Sequence, residues 1–327
     1  MNQGLFRLVF SKHLGMFVPA PEVATAQTAG SASSARSRRR ALLAMIMAML
    51  VSGEVMAEII PLPSSGLVPG GGNWVGAEIV GATPVLTTIQ QNAPQAIANW
   101  LKFNLAAGHT LDINQQAGWS MLHRIHDNDP SIIAGTITGK GNNYFLNNNG
   151  IIFAGTAQVN LGSIWAMTSS SMTDTLFTQG FINNLAGETF SNTGGFIKVE
   201  AGAKLTAATG GKVVLLAKDV ENHGIIVTPE GQTILAAGEK VYLKSQDNQA
   251  NMLVEVDGGG TATNLGEIVA QRGNVTLIGL AVNQMGTIKA TTSVRANGSI
   301  HLLARDSVRT SQVSLEGGGT RAVFQAE

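Results

Sequence analysis

The stretch that decides the fold is Leu122–Ser163, which reads LHRIHDNDPSIIAGTITGKGNNYFLNNNGIIFAGTAQVNLGS. It alternates short apolar runs with corners made of Gly and Asn, and the same texture continues through most of the following chain. Short runs separated by such corners are typical of a chain that winds into coils, each of which buries its apolar side only against neighbouring coils. The sequence therefore predicts a long parallel β-solenoid.

Corners rich in Asn and Gly recur along the chain, each followed by a short apolar run. Gly224 and Gly266 are 42 residues apart and Gly266 and Gly286 are 20 apart, which predicts a period of 20 to 21 residues and two coils between the first pair. The 30 residues from Gly194 to Gly224 break that period and predict an inserted loop between them. Gly adopts φ > 0 freely, Asn tolerates it, and stacked Asn side chains can form a hydrogen-bonded ladder. The predicted structural corners are Gly194, Asn222, Gly224, Asn264, Gly266, Asn283 and Gly286.

Further apolar runs lie between the corners and predict two or three strands per coil. These runs are Lys212–Leu216, Gln232–Leu235, Lys240–Leu243, Asn274–Ile278 and Ser299–Leu303. Ahead of them, Val75–Val80 and Pro84–Ile89 alternate in hydrophobicity, which predicts strands that cap the open end of the solenoid. An antiparallel protein with ordinary Asn-Gly hairpins is the alternative, but a spacing of about 20 residues is too long for consecutive hairpins.

The composition argues against nucleic-acid binding. The chain of 327 residues has no cysteine, and 13% of its residues are charged. Residues 58–327 carry 15 Lys and Arg against 19 Asp and Glu, a net charge near −4. A weakly acidic chain without a basic stripe lacks the electrostatic footprint of a nucleic-acid-binding protein. The lack of thiols is compatible with passage through an oxidising compartment.

The first 57 residues have the pattern of a targeting segment. Arg36–Arg40 is a basic cluster, Ala41–Val51 is an apolar run of eleven residues, and Ser52–Ala57 supplies a cleavage site that ends on Ala57. This order is that of a secretory signal. Eleven apolar residues are too few for a transmembrane anchor, which takes about 20.

An additional segment precedes this signal. It resembles the leading segment of the extended signal peptides carried by large exported proteins of Gram-negative bacteria. The matching residues are Met1, Asn2, Arg7, Leu8, Val9, Phe10, Ser11, Leu14, Gly15, Val18 and Glu22.

Three blocks of the following chain resemble the secretion domain of filamentous haemagglutinin-type proteins, the exported partners of two-partner secretion systems. The blocks are Trp100–Thr110, Leu122–Ile137 and Asn147–Phe153, and the resemblance covers about residues 85–300. In the third block, Asn148 stands where the family usually has the proline of an Asn-Pro-Asn-Gly turn. The resemblance implies an all-β fold, a right-handed single-stranded parallel β-helix with an N-terminal cap and extra-helical strands.

The resemblance also implies a route out of the cell. The Sec machinery delivers such a protein to the periplasm, where the POTRA modules of an outer-membrane β-barrel transporter recognise its β-helix domain, and the chain folds at the cell surface. Candidates for that recognition are Trp100, Phe103, Asn104, Asn147, Asn149, Gly150 and Ile151. An adhesin or haemagglutinin-like role, with a host cell surface as partner and a contribution to virulence, is a further implication.

No catalytic residue is predicted. The densest polar cluster, His123–Asp129, holds two histidines and two aspartates, residue types that bind metals. A polar loop before Pro130, in which Asp129 accepts local backbone hydrogen bonds, is the favoured interpretation. We therefore expect no metal and no cofactor. The alternatives are a carbohydrate-active β-helix enzyme and an exoprotein that captures haem or another ligand.

Four segments are predicted along the chain. Residues 1–57 form the extended signal peptide, 58–96 the lead and cap strands, 97–305 the two-partner secretion β-helix domain, and 306–327 the start of further coils or a truncated end. Because no capping signal is visible in Arg321–Glu327, the chain is expected to be a fragment or the front of a longer fibre.

Overall fold

Strands dominate the structure, which is 65% strand and 2% helix. The computed structural model describes residues 6–11, 16–21, 58–61, 74–169, 172–179, 186–191, 194–245, 252–290, 299–310 and 321–326. The chain forms two compact units, Met1–Ser52 and Gly53–Glu327. In the first unit, β1 (Phe6–Ser11) pairs antiparallel with β2 (Met16–Pro21). No helix among the described residues has the length and hydrophobicity needed to cross a bilayer.

The second unit is a parallel β-helix with three faces, A, B and C. Two strands on its N-terminal side are antiparallel to the coils, β3 (Glu58–Pro61) and β4 (Ala77–Ala82). Face A comprises β6 (Gln95–Asn104), β8 (Ser120–Ile125), β11 (Asn142–Asn147), β14 (Ser163–Met167), β18 (Lys212–Ala217) and β21 (Gln232–Ala237). Face B comprises β9 (Ser131–Ile133), β12 (Gly150–Phe153), β16 (Phe196–Val199), β19 (Asp219–Asn222) and β24 (Thr261–Asn264).

Face C and three long or distal strands complete the stack. Face C comprises β5 (Leu86–Gln91), β7 (Thr110–Asn114), β10 (Thr136–Gly139), β13 (Gln158–Leu161), β17 (Lys204–Ala207), β20 (Ile225–Val227), β25 (Glu267–Val269) and β27 (Thr287–Lys289). The strands β26 (Asn274–Gln284) and β28 (Ser299–Thr310) each run through faces A and B, and β29 (Arg321–Ala326) pairs with β28. The fold class predicted from the sequence is confirmed, and the antiparallel alternative is wrong for the coils.

Inward-facing aliphatic side chains stack from coil to coil and fill the interior. On face C the strands are in register, so that the same inward position recurs in each coil and is 0% exposed throughout. Burial of this kind is worth about 25 cal/mol per Å² of apolar surface, and a coil gains it only against a neighbour. The stacked residues are Leu111, Ile137, Val159, Leu205, Ile226, Ile268 and Ile288.

Face A is buried on both sides, which explains why its strands have continuous apolar runs. The outward side chains of Tyr144, Trp165 and Val214 belong to a second hydrophobic cluster outside the coils. That cluster is covered by helix α1 (Asp174–Thr178) and by an antiparallel sheet of β15 (Ala186–Ser191), β22 (Lys240–Ser245) and β23 (Met252–Asp257). These are extra-helical strands, as the family resemblance implies.

The positions of the insertions differ from those predicted. Gly224 and Gly266 lie in adjacent coils, because β20 pairs directly with β25. The extra residues between them are the β22–β23 hairpin, to which the predicted coil run Lys240–Leu243 belongs. The first insertion lies between β14 and β16, and the chain from Phe196 to Gly224 contains none. A hairpin with one buried face has the same alternation as a coil strand, so spacing alone did not separate them.

Close stacking of the backbone explains the glycine corners better than positive φ does. A Cβ added to Gly266 would overlap the carbonyl oxygen of Gly224, and one added to Gly286 would overlap that of Gly266. None of these three residues has a φ in the left-handed region. Gly194 differs, since its φ is +98° and open space surrounds it. Three of the four predicted glycine corners are therefore glycine because the neighbouring coil comes too near for a Cβ.

The predicted asparagine ladder is present, with one member shifted. Asn222 donates from Nδ2 to Asn264 Oδ1 at 2.7 Å, and Asn264 donates from Nδ2 to Gln284 Oε1 at 2.8 Å. All three side chains are fully buried. Asn283 pairs with Thr263 on the outer side of face B, so Gln284 takes the inward position that the sequence assigned to Asn283. The ladder satisfies amide groups that burial would otherwise leave unpaired.

Replacement of Gly266 by alanine tests the stacking at the corners. We expect Gly266→Ala to lower the free energy of unfolding by about 1–3 kcal/mol, the usual cost of overpacking, as measured by urea denaturation. Gly259→Ala is the matched control, because no atom lies within 4 Å of its added Cβ. Equal effects of the two substitutions would contradict the steric explanation.

Candidate functional site

The candidate recognition residues gather where face A passes into face B, on β6, β11 and β12. Trp100, Phe103 and Ile151 have 0% of their surface exposed and belong to the interior cluster of the coils. The Trp100 ring contacts the ring of Trp74, with centroids 4.6 Å apart, and that of Phe103, with centroids 5.1 Å apart. The apolar candidates are therefore core side chains of the folded domain.

A loop on this edge is held by asparagines from the next coil. We call Asp127–Ser131, which joins β8 to β9, the clamped loop. Asn147 donates from Nδ2 to the carbonyl oxygen of Asp129 at 3.1 Å, and Asn149 donates from Nδ2 to that of Asp127 at 2.7 Å. These bonds tie the clamped loop to the turn between β11 and β12.

The preceding coil holds the other side of the same loop. Asn104 accepts from the backbone N–H of Ile132 at 2.8 Å, directly after the clamped loop. Ile132 is 49% exposed, Asn149 is exposed and Asn104 is half-buried. The edge thus presents polar groups and one apolar side chain to solvent, above a buried aromatic base.

The turn over Asn147–Gly150 is fixed by side-chain bonding. Asn147 Oδ1 accepts from the backbone N–H of Asn149 at 2.9 Å, an Asx-type turn that holds the chain where the family's proline would restrict it. Gly150 has φ +129°, and a Cβ there would lie 2.9 Å from the carbonyl oxygen of Phe196. Both positive φ and close approach therefore require glycine at this position.

A buried histidine lies beneath this edge. His123 is 0% exposed, and its ring stacks on Phe145 with centroids 4.8 Å apart. Trp100 Nε1 donates to His123 Nδ1 at 3.3 Å, and His123 Nε2 lies 3.1 Å from Asn143 Oδ1. Because an indole N–H only donates, Nδ1 must be unprotonated and Nε2 carries the proton of a neutral ring. Burial lowers the pKa of His123 from 6.5 to about 4.

The polar-loop interpretation of His123–Asp129 is correct only in part. His123 and Arg124 belong to β8, and the loop proper begins after that strand. The local acceptor is the Oδ1 atom of Asp127, which receives the backbone N–H of Asp129 at 3.2 Å. The sequence had assigned that acceptor role to Asp129. Ala57, the predicted cleavage position, lies outside the described residues.

Two family models match the chain over most of its length. The model of the TPS (two-partner secretion) secretion domain matches residues 68–319. The chain belongs to the TPS secretion domain family. A second model, the extended signal peptide of the type V secretion system, matches residues 1–51. The protein is accordingly secreted, through the periplasm to the cell surface or the extracellular space, and its family implies an outer-membrane transporter and Sec export.

Solved structures of TPS secretion domains resemble this one. The chain is similar to the HMW1 secretion domain from Haemophilus influenzae, with a TM-score of 0.61 and 21% identity, covering 78% of this chain and 73% of that chain. It also matches a filamentous haemagglutinin secretion domain, with a TM-score of 0.49 and 14% identity, covering 82% of this chain and 96% of that chain. The first likeness confirms the fold. No curated protein sequence matches.

One long-range contact beside the clamped loop was not predicted from the sequence. Arg124 pairs with Asp174 at 2.7 Å and donates from Nη2 to the carbonyl oxygen of Met172 at 3.0 Å. It also reaches Asn99 Oδ1 at 3.3 Å. Arg124 therefore anchors the first insertion to the coils beside the clamped loop. The two charges are 50 residues apart in sequence, and no local pattern relates them.

In the described part of the chain, no group of three or more His, Cys, Asp or Glu side chains is placed to hold a metal ion. His126, the second histidine of the predicted cluster, lies 3.3 Å from Asn99 Oδ1 through Nε2. Desolvation and the nearby Arg124 charge lower its pKa.

The buried histidine predicts a loss of stability in acid. Above pH 6.5 His123 is neutral whether the chain is folded or unfolded, so its contribution is complete there. As the pH falls from 6.5 towards 4, only the unfolded chain takes up the proton, and about 3 kcal/mol of stability is lost. We expect the free energy of unfolding, measured by urea titration across this range, to fall with pH.

Matched variants separate this effect from general acid sensitivity. His123→Gln keeps donor and acceptor groups but does not titrate, so the slope below pH 6.5 should flatten, with a remainder from His126. Gly266→Ala, which lowers stability without removing a titrating group, should retain the wild-type slope. An unchanged slope in His123→Gln would rule out His123 as its source.

Proposed function

We propose that this chain is a two-partner secretion exoprotein whose β-helix domain is recognised, while unfolded, by the periplasmic POTRA modules of its outer-membrane transporter. After export the folded domain leads a non-enzymatic exoprotein with an adhesin-like role at the cell surface, its partner being a host cell surface. The observation that supports recognition of the unfolded chain most directly is the complete burial of Trp100, Phe103 and Ile151.

Burial divides the candidate recognition residues into two classes. A transporter reaches the side chains of Trp100, Phe103 and Ile151 only before the coils close over them. Asn104 and Asn149 keep accessible surface, but their amide groups bond the clamped loop once the domain is folded. Folding therefore buries the apolar candidates, and it engages the amide groups of the polar candidates in hydrogen bonds. This gives a periplasmic partner a physical means of distinguishing unfolded chain from folded product.

Folding also supplies a direction for export. Each coil that closes outside the cell buries its inward side chains against the previous coil, with a gain of about 25 cal/mol per Å² of apolar surface. The same burial makes the apolar candidate side chains inaccessible to the transporter. Return of the chain through the transporter would require that this surface be exposed again.

Two carboxylates on face C make structural contacts between coils. Glycosidases place two carboxyl groups on either side of the scissile bond. Here Glu267 pairs with Lys289 at 2.6 Å, and Asp112 accepts from Thr138 at 2.7 Å. These pairs join neighbouring coils on the outer side of face C. These contacts are compatible with an outer face that serves as a binding surface. They give no specific support to the carbohydrate-active or ligand-capture alternatives.

A secretion assay with surface-matched variants tests recognition. We expect Asn104→Ala/Asn149→Ala, co-expressed with the partner transporter, to reduce the amount of exported protein several-fold. Its unfolding free energy should fall by only about 1–2 kcal/mol, since each side chain makes a partly exposed hydrogen bond. Asn160→Ala is the control, because Asn160 is exposed on face C. Normal export of the double variant would remove the asparagines from the recognition set.

A second measurement addresses the unfolded state. Gly266→Ala keeps every candidate recognition residue while it destabilises distant coils. Purified POTRA modules should therefore bind Gly266→Ala more strongly than wild type under conditions where the variant is partly unfolded. Equal binding to folded and unfolded chains would refute recognition before folding.

A further inference from the structure

A notch interrupts the edge where face C passes into face A. In the third of four successive coils the corner is a single residue, Gly162, between β13 and β14. The corner of the preceding coil, residues 140–141 between β10 and β11, is also short. The next corners outward are longer, at residues 115–119 between β7 and β8 and at 208–211 between β17 and β18. The two short corners between longer turns leave a cleft of about 480 Å³, within the range of about 300–1,000 Å³ typical of small-molecule sites.

Two lysines face this notch, and no Asp or Glu lines it among the residues that the structure describes. Lys140 comes from the corner between β10 and β11, and Lys212 is the first residue of β18. Among the side chains that the structure describes, neither ammonium group has a hydrogen-bond or ion-pair partner. Lys140 is exposed, whereas Lys212 is half-buried. Partial burial of an unpaired ammonium group is unfavourable unless an anion is bound beside it.

The pKa of Lys212 also reflects burial without a neighbouring negative charge. Desolvation by burial lowers it, and no neighbouring carboxylate offsets that effect. Lys289, by contrast, pairs with Glu267 at 2.6 Å on an exposed face. Lys212 thus carries a positive charge into a cleft where the chain supplies no counter-charge.

The rest of the lining is polar above an aromatic base. Gln95, Asn142 and Thr209 contribute amide and hydroxyl groups. Tyr144 and Phe177 lie at the base, with ring centroids 5.4 Å apart in an edge-to-face arrangement. Because Phe177 belongs to α1, the docked insertion forms part of the notch. Such a lining suits a small ligand with both an anionic group and hydrogen-bonding groups.

We propose that this notch binds a carboxylate-bearing ligand, whose anionic group pairs with the ammonium groups of Lys140 and Lys212. The ligand is either a free organic acid or an acidic side chain of a peptide, since both offer the same group. None of the candidate recognition residues lines the notch, so the proposal does not depend on how the transporter recognises the chain.

Calorimetric titration of the exported protein with succinate, and with succinamide as its neutral counterpart, tests the proposal. We expect binding of succinate at low ionic strength and none of succinamide. Lys140→Gln/Lys212→Gln should weaken succinate binding at least about tenfold, the loss of one charge-assisted bond or more. Lys204→Gln, on face C outside the notch, should leave it unchanged. A short glutamate-rich peptide and its glutamine counterpart distinguish the peptide source from the free acid.

Two outcomes would overturn the proposal. One is that wild type binds neither succinate nor the glutamate-rich peptide. The other is that Lys204→Gln loses as much succinate affinity as Lys140→Gln/Lys212→Gln. Thermal unfolding gives an independent readout. Lys212→Met removes the unpaired charge, so its midpoint without ligand should exceed that of wild type, while the upward shift caused by succinate should disappear. A lower midpoint together with a retained succinate shift would contradict the assignment of Lys212.

Discussion

Each coil of this β-helix must repeat the path of the coil beneath it at the spacing that backbone hydrogen bonds set, about 4.8 Å. A side chain cannot be placed at a corner where the next carbonyl lies directly against the Cα, so Gly224, Gly266 and Gly286 have none. An inward amide in such a stack finds its partner in the adjacent coil, which accounts for the Asn222–Asn264 bond. Much of the Gly and Asn content of the chain follows from this one spacing.

Under the proposed recognition of the unfolded chain, the same stacking would give Trp100 and Phe103 two roles at different times. In the folded domain, Trp100 and Phe103 form the aromatic base of the first coils and His123 completes it as a neutral ring. In the unfolded chain these side chains are exposed. A core side chain that served as a recognition signal would need no separate release step, because closure of the coil would end the interaction.

Periodicity and corner residues were sufficient to predict the fold class from the sequence. Alternation on face C was informative because one side of each strand faces solvent. The strands of face A were harder to predict. Both of their sides are buried, so their sequences are continuous apolar runs such as Lys212–Ala217. The β22–β23 hairpin was assigned to the coils because its buried side mimics their pattern.

The family motif supplied the candidate recognition residues, but it could not predict their geometry. The motif identified Asn104, Asn147 and Asn149, and the structure adds that they hold the two sides of one loop. The Arg124–Asp174 pair and the Lys140–Lys212 notch join residues that are 50 and 72 positions apart. Such contacts depend on which coil lies above which, and an insertion of uncertain position shifts every later coil.

Both insertions leave the stack at the same edge, after a strand of face A, and both return to it at the start of a strand of face B. An insertion that starts and ends at adjacent points does not lengthen the β-helix. It also leaves the contacts between the coils unchanged. A foreign peptide grafted into either insertion would therefore be displayed at a fixed position along the axis of the β-helix. This edge makes the domain a natural carrier for grafted epitopes.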